Sequence, residues 1–286
     1  MEFTQITYEV EDQIAVITLN RPDVLNAWTP VMMAEIIEAL DMADNDDNVR
    51  VLIFTGAGKA YCAGADLSSG GFDLNNNDAR GTIRRDTAGR ATLRLFNMKK
   101  PIIAAINGPA VGVGITMTTA MDIRIVSEAA TKIGFVFNRR GIVPEGCCTY
   151  FLPRIIGVSK AAELILTARL FTAEEGQEMG LFSQVVSPGE LLPKAREIAR
   201  EISNHTSAVS TALARQMIWK MLTASHPMEA HVIESKSLNY MSASEDAAEG
   251  SASFKEKRPA QFRMTPGRDM PDFYPWWQDP VFPETG

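Results

Sequence analysis

Short apolar runs alternate with segments of helical periodicity along much of the chain. Runs bounded by turn residues indicate buried strands, and they fall at 14–19, 51–55, 102–106, 123–126 and 185–186. Apolar residues then recur at helical spacing from Met32 to Leu40, behind Thr29 and Pro30, which are typical of a helix start. Further helices are predicted at 161–168, at 173–179 with Thr172 as its cap, and at 195–202, 208–222 and 227–241. Strands that alternate with helices favour an α/β fold.

One stretch, residues 101–124, leads from a predicted strand through glycines into a helix. The turn residues 107–109 end the strand, and Gly112 and Gly114 flank Val113 where the helix is predicted to begin. Such a helix start exposes backbone N–H groups at the positive end of the helix dipole. These groups can hold a phosphate, or an oxygen that becomes negative during a reaction.

Nucleotide binding at this stretch is disfavoured by its sequence. A P-loop requires Gly-Lys-Ser/Thr where this chain has Gly114-Ile115-Thr116, and a dinucleotide fingerprint requires glycine at Met117. The chain also lacks the Gly-x-Ser-x-Gly elbow of a serine hydrolase. An oxygen that gains charge during catalysis is therefore the preferred occupant.

Composition and net charge exclude several classes of protein and partner. The chain has 286 residues, 45% of them hydrophobic, and a net charge of −7, which argues against nucleic acid or an anionic membrane as partner. No apolar run approaches the roughly 18 residues of a membrane span. The first residues do not resemble a signal peptide. Because the three cysteines form no disulfide framework, a cytoplasmic location is expected.

No metal site is expected. His226 and His231 do not have the spacing of two ligands on one helix face, and Cys147-Cys148 is not a Cys-x-x-Cys pair. Cys62, next to a glycine turn, is interpreted as a small packed residue rather than a reactive thiol.

A series of short motifs, taken in order, resembles the enoyl-CoA hydratase/isomerase (crotonase) family. Each motif is weak alone, but together they extend over about residues 5 to 262 and are specific. They are the segments 19–22, 25–26, 59–67, 107–114, 122–124, 144–146, 164–180, 249–250 and 254–258.

The resemblance implies a spiral of ββα units followed by a helical trimerisation region. It divides the chain into a core with the CoA and acyl site at 1–195, an oligomerisation region at 196–262 and a Pro/aromatic-rich tail at 263–286. Family members bind acyl-CoA thioesters as homotrimers or hexamers, with coenzyme A entering as part of the substrate and no permanently bound cofactor. Two backbone amides polarise the thioester carbonyl, and they fall on Ala65 and Val113. Val113 departs from the glycine usual at that position.

The catalytic acid or base differs from that of the family's hydratases. Their two glutamates fall on Thr116 and Phe137, neither of which can act as a base. Glu145, in Val143-Pro-Glu-Gly-Cys147, instead resembles the single glutamate of peroxisomal-type Δ3,Δ2-enoyl-CoA isomerases. The sequence therefore predicts double-bond isomerisation, with Glu145 moving the proton at a pKa raised towards neutrality by burial.

Three alternatives stay open. Glu145 could only cap the following helix. The enzyme could be a hydratase or a related lyase or hydrolase that uses Glu145 with Asp73, Asp78 or Asp86. It could also bind acyl-CoA without catalysis.

Substrate contacts carried over from the family are less specific. Phe254 and Lys257 would reach the CoA from a neighbouring subunit, whereas Asp66, Asp122 and Arg124 are also expected to be structural. The segment 80–100 is interpreted as a helix with a basic face, and with the loop 68–78 it would shape the acyl pocket. A further hypothesis is that the tail, including Trp276-Trp277, packs on a neighbouring subunit. The expected contacts are Arg21, Val24, Leu25, Ala63, Asp66, Leu67, Gly112, Thr116, Phe137, Phe254 and Lys257.

Overall fold

The fold follows the predicted alternation of strands and helices. The computed structural model describes residues 3–68 and 85–283. Most of the loop expected at 68–78, with Asp73 and Asp78, and the beginning of the segment 80–100 lie outside these ranges. The strands are β1 (Ile6–Glu11), β2 (Ile14–Leu19), β3 (Val51–Gly56), β4 (Ile102–Ile106), β5 (Ala110–Val111), β6 (Ile123–Ser127), β7 (Ile133–Gly134) and β8 (Gln184–Val186).

Most α-helices lie at the predicted positions, and the basic segment contains α2, but α3 is a single turn and α10 was not predicted. The α-helices are α1 (Pro30–Asn45), α2 (Thr87–Phe96), α3 (Val113–Thr116), α4 (Cys148–Ile156), α5 (Val158–Thr167), α6 (Ala173–Glu178), α7 (Leu191–His205), α8 (Ala208–Lys220), α9 (Pro227–Ser242) and α10 (Glu245–Glu256). In the described ranges no helix combines the length and apolar character that crossing a bilayer requires.

Six strands form the main sheet in the order β1, β2, β3, β4, β6, β8. β1 is antiparallel to β2, and the other pairs are parallel. β1 was not predicted because most of its residues are half-buried or exposed, so it lacks the apolar run of the inner strands. β5 and β7 form a separate two-stranded sheet, and Ala110 of β5 also pairs with Cys62.

Both faces of the inner strands are buried. In β2, Ile17 lies in the cluster that includes Met32 of α1 and Leu95 of α2, whereas Val16 lies in the opposite cluster with Ala195 of α7. This burial on two sides explains why the inner strands are continuous apolar runs. The domain boundary predicted after residue 195 falls inside α7, which packs against the sheet and therefore belongs to the core.

Helix starts are stabilised by the capping residues that the sequence indicated. The Thr29 hydroxyl accepts a hydrogen bond of 3.0 Å from the Met32 amide at the start of α1. Thr172 and Glu175 form a reciprocal capping box at the start of α6. Such caps satisfy backbone donors that have no partner within the helix.

The C-terminal tail packs on its own chain, which corrects the hypothesis that it lies on a neighbour. Tyr274 and Trp276 join the apolar cluster of α8. The Lys220 ammonium lies 4.0 Å from the ring centre of Phe96 and 4.1 Å from that of Trp277. Two aromatic faces around one cation hold the tail against the ends of α2 and α8.

We expect Trp277→Ala to lower the free energy of unfolding by about 1–2 kcal/mol, because it removes one aromatic face from the Lys220 ammonium and part of the tail packing. Urea denaturation measures the change. Val281→Ala is the control, since Val281 is 92% exposed and its loss should have almost no effect. Equal stability of the Trp277 variant and the wild type would contradict the role of the tail.

Candidate active site

Two backbone segments, 62–65 and 110–114, lie in direct contact. Cys62 pairs with Ala110, and the Val111 amide donates to the Cys62 carbonyl at 3.0 Å. Gly64 has a φ of +100°, a conformation that favours glycine. A Cβ on Gly114 would overlap the Cys62 carbonyl oxygen. The glycines therefore allow a backbone approach that side chains would prevent.

The Ala65 amide points away from its neighbouring segment. The Trp28 amide donates to the Gly64 carbonyl at 2.8 Å, and the Asp66 amide donates to the Trp28 carbonyl at 2.9 Å. In a parallel bridge of this kind, the residue between the two bonded groups directs its own N–H to the opposite side. The N–H of Ala65 is thus directed away from Trp28.

Val113 begins α3, and its amide precedes the first turn of that helix. Both the Ile115 and the Thr116 amides donate to the Gly112 carbonyl at 3.0 Å, but the first residue of a helix has no acceptor within it. Val113 does not have a positive φ, so its side chain is compatible with this backbone. Gly112 packs against Gly64: a Cβ on Gly112 would lie 3.8 Å from the Gly64 Cα. Ala65 and Val113 therefore follow two glycines that touch.

Glu145 lies in the loop before α4 and contacts α3. The Thr116 hydroxyl donates to Glu145 Oε1 at 3.0 Å. The loop packs tightly here, since a Cβ on Gly146 would lie 2.7 Å from the Thr116 Oγ1. Cys147, at the start of α4, has a left-handed backbone. The Thr116 hydroxyl thus orients the carboxyl of Glu145.

A second carboxyl, that of Asp86, lies beside Glu145. Asp86 caps α2, and its Oδ1 accepts hydrogen bonds from the Gly89 amide and, at 3.3 Å, from the Gly146 amide. The Asp86 side chain also forms a hydrogen bond with the Glu145 carboxyl. The start of α2 and the Glu145 loop are therefore joined by this aspartate.

Burial raises the pKa of Glu145 to about 8. The charge of Asp86 and its hydrogen bond raise this pKa further, whereas the Thr116 hydroxyl lowers it. Burial also raises the pKa of the neighbouring Cys62 and Cys148 thiols, each to about 12. At neutral pH the thiols are neutral, whereas the pKa of Glu145 lies close enough to neutrality for its carboxyl to gain or lose a proton.

Comparison with known proteins identifies the family. The model that describes enoyl-CoA hydratase/isomerase matches residues 9–265 of this chain. The chain belongs to the enoyl-CoA hydratase/isomerase family. The crotonase-like α/β fold predicted from the resemblance is confirmed.

Individual relatives support the same assignment. The chain is 44% identical over 255 residues to an enoyl-CoA hydratase of Alternaria alternata, covering 89% of this chain and 84% of the relative. It is 33% identical over 264 residues to the 1,2-epoxyphenylacetyl-CoA isomerase of Escherichia coli (strain K12), covering 92% and 98%. The crystal structure of an enoyl-CoA hydratase from Bacillus anthracis matches with a TM-score of 0.84 at 32% identity, covering 91% and 99%. These relatives carry both hydratase and isomerase names.

Several residues that the family resemblance assigned to CoA lie together at one edge of this site. Arg21 Nη1 donates to Asp66 Oδ2 at 2.9 Å and to the Ala27 carbonyl at 2.6 Å. Hydrogen bonds from Ser68 and Arg21 lower the pKa of Asp66, and the bond from Arg21 joins this carboxylate to the segment after β2. The Ala63 amide donates to the Leu25 carbonyl at 3.0 Å.

The same edge exposes apolar side chains to solvent. Val24, Leu25 and Leu67 are 45%, 44% and 57% exposed, although apolar residues of this size are more often buried. Phe137, by contrast, is buried close to Gly112. Gly112, Thr116 and Phe137 therefore belong to the inner wall of the site.

Phe254 and Lys257 are not joined to these residues within one chain. Phe254 is 85% exposed on α10, and the hydrogen bond from the Lys257 amide returns to the Phe254 carbonyl. Asp122 is structural: its carboxylate accepts hydrogen bonds from the Arg215 and Trp219 side chains. Arg124 donates to backbone carbonyls, including that of Leu181, and is structural as well.

The sequence suggested Asp86 for the site only as one of three acids that could act together with Glu145. A signal was present, because aspartate before Thr87 and Ala88 is typical of a helix N-cap. That signal predicts the helix cap but not the contact with Glu145, because the Glu145 loop is distant in sequence. Trp28, which positions the Ala65 segment and donates to the Thr87 hydroxyl at 3.0 Å, was also missed.

We expect Gly114→Ala to destabilise the protein by about 1–3 kcal/mol, because the added methyl group would push the segments 62–65 and 110–114 apart. Denaturant unfolding measures this change, and activity should fall with it. Gly189→Ala is the control, since a Cβ there meets nothing within 4 Å. Two variants of equal stability would contradict the close approach.

Proposed function

We propose that this enzyme acts on acyl-CoA thioesters and that the Ala65 and Val113 amides donate to the thioester carbonyl oxygen. The observation that carries the proposal is Glu145, a half-buried carboxyl with a raised pKa beside the glycine segments that precede both amides. Amides that are fixed before the reaction stabilise an enolate oxygen, and losing one typically costs about 10²–10³ in rate. Stabilising the enolate makes the carbon next to the carbonyl acidic.

The preferred reaction is a shift of the double bond from 3-enoyl to 2-enoyl-CoA. The Glu145 carboxylate removes a proton from the α carbon, and the electron pair of that C–H bond moves into the dienolate. The proton then returns from Glu145 to the γ carbon, so one carboxyl is sufficient. Neither Thr116 nor Phe137 can serve as a second base. The resemblance of the Pro144-Glu145-Gly146-Cys147 loop to peroxisomal-type isomerases supports this assignment.

Coenzyme A enters this scheme as part of the substrate, and no permanently bound cofactor is required. The exposed apolar edge of Val24, Leu25 and Leu67, beside Arg21, suits the pantetheine and adenine parts of the thioester. The inner wall at Gly112, Thr116 and Phe137 suits the acyl chain. Phe254 and Lys257 would contribute from a neighbouring subunit.

Hydration of a 2-enoyl-CoA is the second candidate function. Asp86 favours it, because a pair of carboxyls beside the thioester could position and activate water. The hydratase names of several relatives point in the same direction.

The enzyme would assemble as a homotrimer or a dimer of trimers. Large apolar side chains on three C-terminal helices are exposed within one chain: Ile218 by 69%, Leu238 by 70% and Phe254 by 85%. Apolar patches of this kind mark contacts between proteins.

We expect Glu145→Gln to lower kcat for isomerisation of a 3-enoyl-CoA by about 10²–10⁴, because the amide cannot take the proton. Exchange of the α proton in deuterated water should fall equally. Glu128→Gln is the control, since Glu128 is an exposed acid outside the site.

The same assays separate the candidate functions. Wild type that converts 3-enoyl thioesters but does not add water to 2-enoyl thioesters is an isomerase, and the reverse result identifies a hydratase. Tight binding of acyl-CoA without any α-proton exchange would contradict both and indicate a non-catalytic member. Full isomerase activity of the Glu145 variant would exclude Glu145 as the base.

Light scattering of the purified protein should give the mass of three or six chains. Leu238→Glu should reduce that mass, because it places a charge in the proposed contact. A single-chain mass for the wild type would contradict the assembly.

A further inference from the structure

Asp86 has no function in a one-carboxyl isomerisation, yet its side chain forms a hydrogen bond with Glu145. Two carboxyl groups can share such a bond only when one of them carries a proton. The pair therefore holds one proton at neutral pH.

The surroundings favour the protonated form of Glu145. Asp86 Oδ1 accepts hydrogen bonds from the Gly89 amide at the N-terminus of α2, where negative charge is stabilised, and from the Gly146 amide of the Glu145 loop. Glu145 accepts one hydrogen bond from the neutral Thr116 hydroxyl and is partly removed from water. The shared proton is consequently held by Glu145.

Resting on the function proposed above, we infer that Asp86 is a positioning residue that makes Glu145 a stronger base. When the Glu145 carboxylate removes the α proton, it becomes a carboxylic acid whose hydrogen bond to the Asp86 carboxylate stabilises it. Return of the proton to the γ carbon restores the carboxylate, so no charge or proton is gained or lost overall. A base with its pKa near the working pH is the most effective for this transfer.

Other titratable groups face the pair from each neighbouring segment. Cys62 lies after β3, and Cys147 and Cys148 lie at the start of α4; the pKa of each thiol is raised, so they stay neutral. The charge of Arg85, the residue before Asp86, lowers the pKa of Cys147 and so opposes part of this increase. Across neutral pH the thiols therefore do not titrate together with the pair.

The test is the pH dependence of kcat/KM in Asp86→Asn. Asparagine retains the oxygen that caps α2 but removes the charge. In the wild type kcat/KM should rise with pH through about 8, where Glu145 ionises. In the variant this rise should move down by about one to two pH units, and the plateau should fall several-fold because the base is weaker. A lower plateau with no movement of the rise would overturn the inference and leave Asp86 as a helix cap.

A measurement without substrate separates this inference from the proposed function. The raised pKa of Glu145 means that the folded protein holds a proton that the unfolded chain releases above its ordinary value of 4.5. The contribution of Glu145 to stability should therefore decrease from about pH 4.5 to about pH 8 in the wild type, and Glu145→Gln lacks this contribution. The stability difference between these two proteins should grow across that window.

When both of these proteins also carry Asp86→Asn, the difference between their stabilities should stop growing at a pH about one to two units lower. An unchanged window would overturn the inference. A shifted window in a protein with no thioester activity would uphold the carboxyl pair and refute only the proposed function.

Asp86→Ser provides a second test, because serine also caps helices but carries no charge. If the Asp86→Asn protein fails to fold, Asp86→Ser should still shift both the rise of kcat/KM and the stability window. Asp41→Asn is the matched control, since Asp41 also contacts α2, through Arg94 at 2.6 Å, but lies away from Glu145. A shift in the control equal to that of the Asp86 variants would overturn the inference.

Discussion

The site depends on the close approach of two backbone segments, 62–65 and 110–114. Side chains at Gly64 or Gly114 would strain or obstruct the approach, and the bridge between Cys62 and Ala110 holds the two segments in register. Because Ala65 and Val113 follow these contacts directly, the direction of their amides is set by the backbone alone. A valine is compatible with position 113, because the position supplies only an N–H and its φ is not positive.

Partial burial makes the Glu145 carboxyl costly to ionise and therefore raises its pKa. Burial and Asp86 favour the neutral acid, and the Thr116 hydroxyl opposes them. The balance leaves a group that can both accept and return a proton near neutral pH. Thr116 contributes through the orientation of the Glu145 carboxyl, and Phe137 contributes through packing near Gly112.

The C-terminal region supports this arrangement through α2, whose first residue follows Asp86. At the opposite end of α2, the buried Arg215 side chain donates to the Leu95 and Phe96 carbonyls, at 2.9 and 3.1 Å. Asn97, just beyond the helix, donates to Asp279 of the tail at 2.6 Å. Helix α8 and the tail therefore position the helix that brings Asp86 to Glu145.

The sequence by itself determined the inner strands, the caps at Thr29 and Thr172 and the family, and it singled out Glu145 as the candidate base. These features depend on local periodicity, on capping preferences or on short motifs, all of which are readable in one dimension. Only the tertiary structure decided the edge strand β1, the assignment of α7 to the core, the fold-back of the tail and the pairing of Asp86 with Glu145. Each of these joins segments that are far apart in the chain, and no local pattern encodes which distant surface a half-buried strand, a tail or a helix cap will meet.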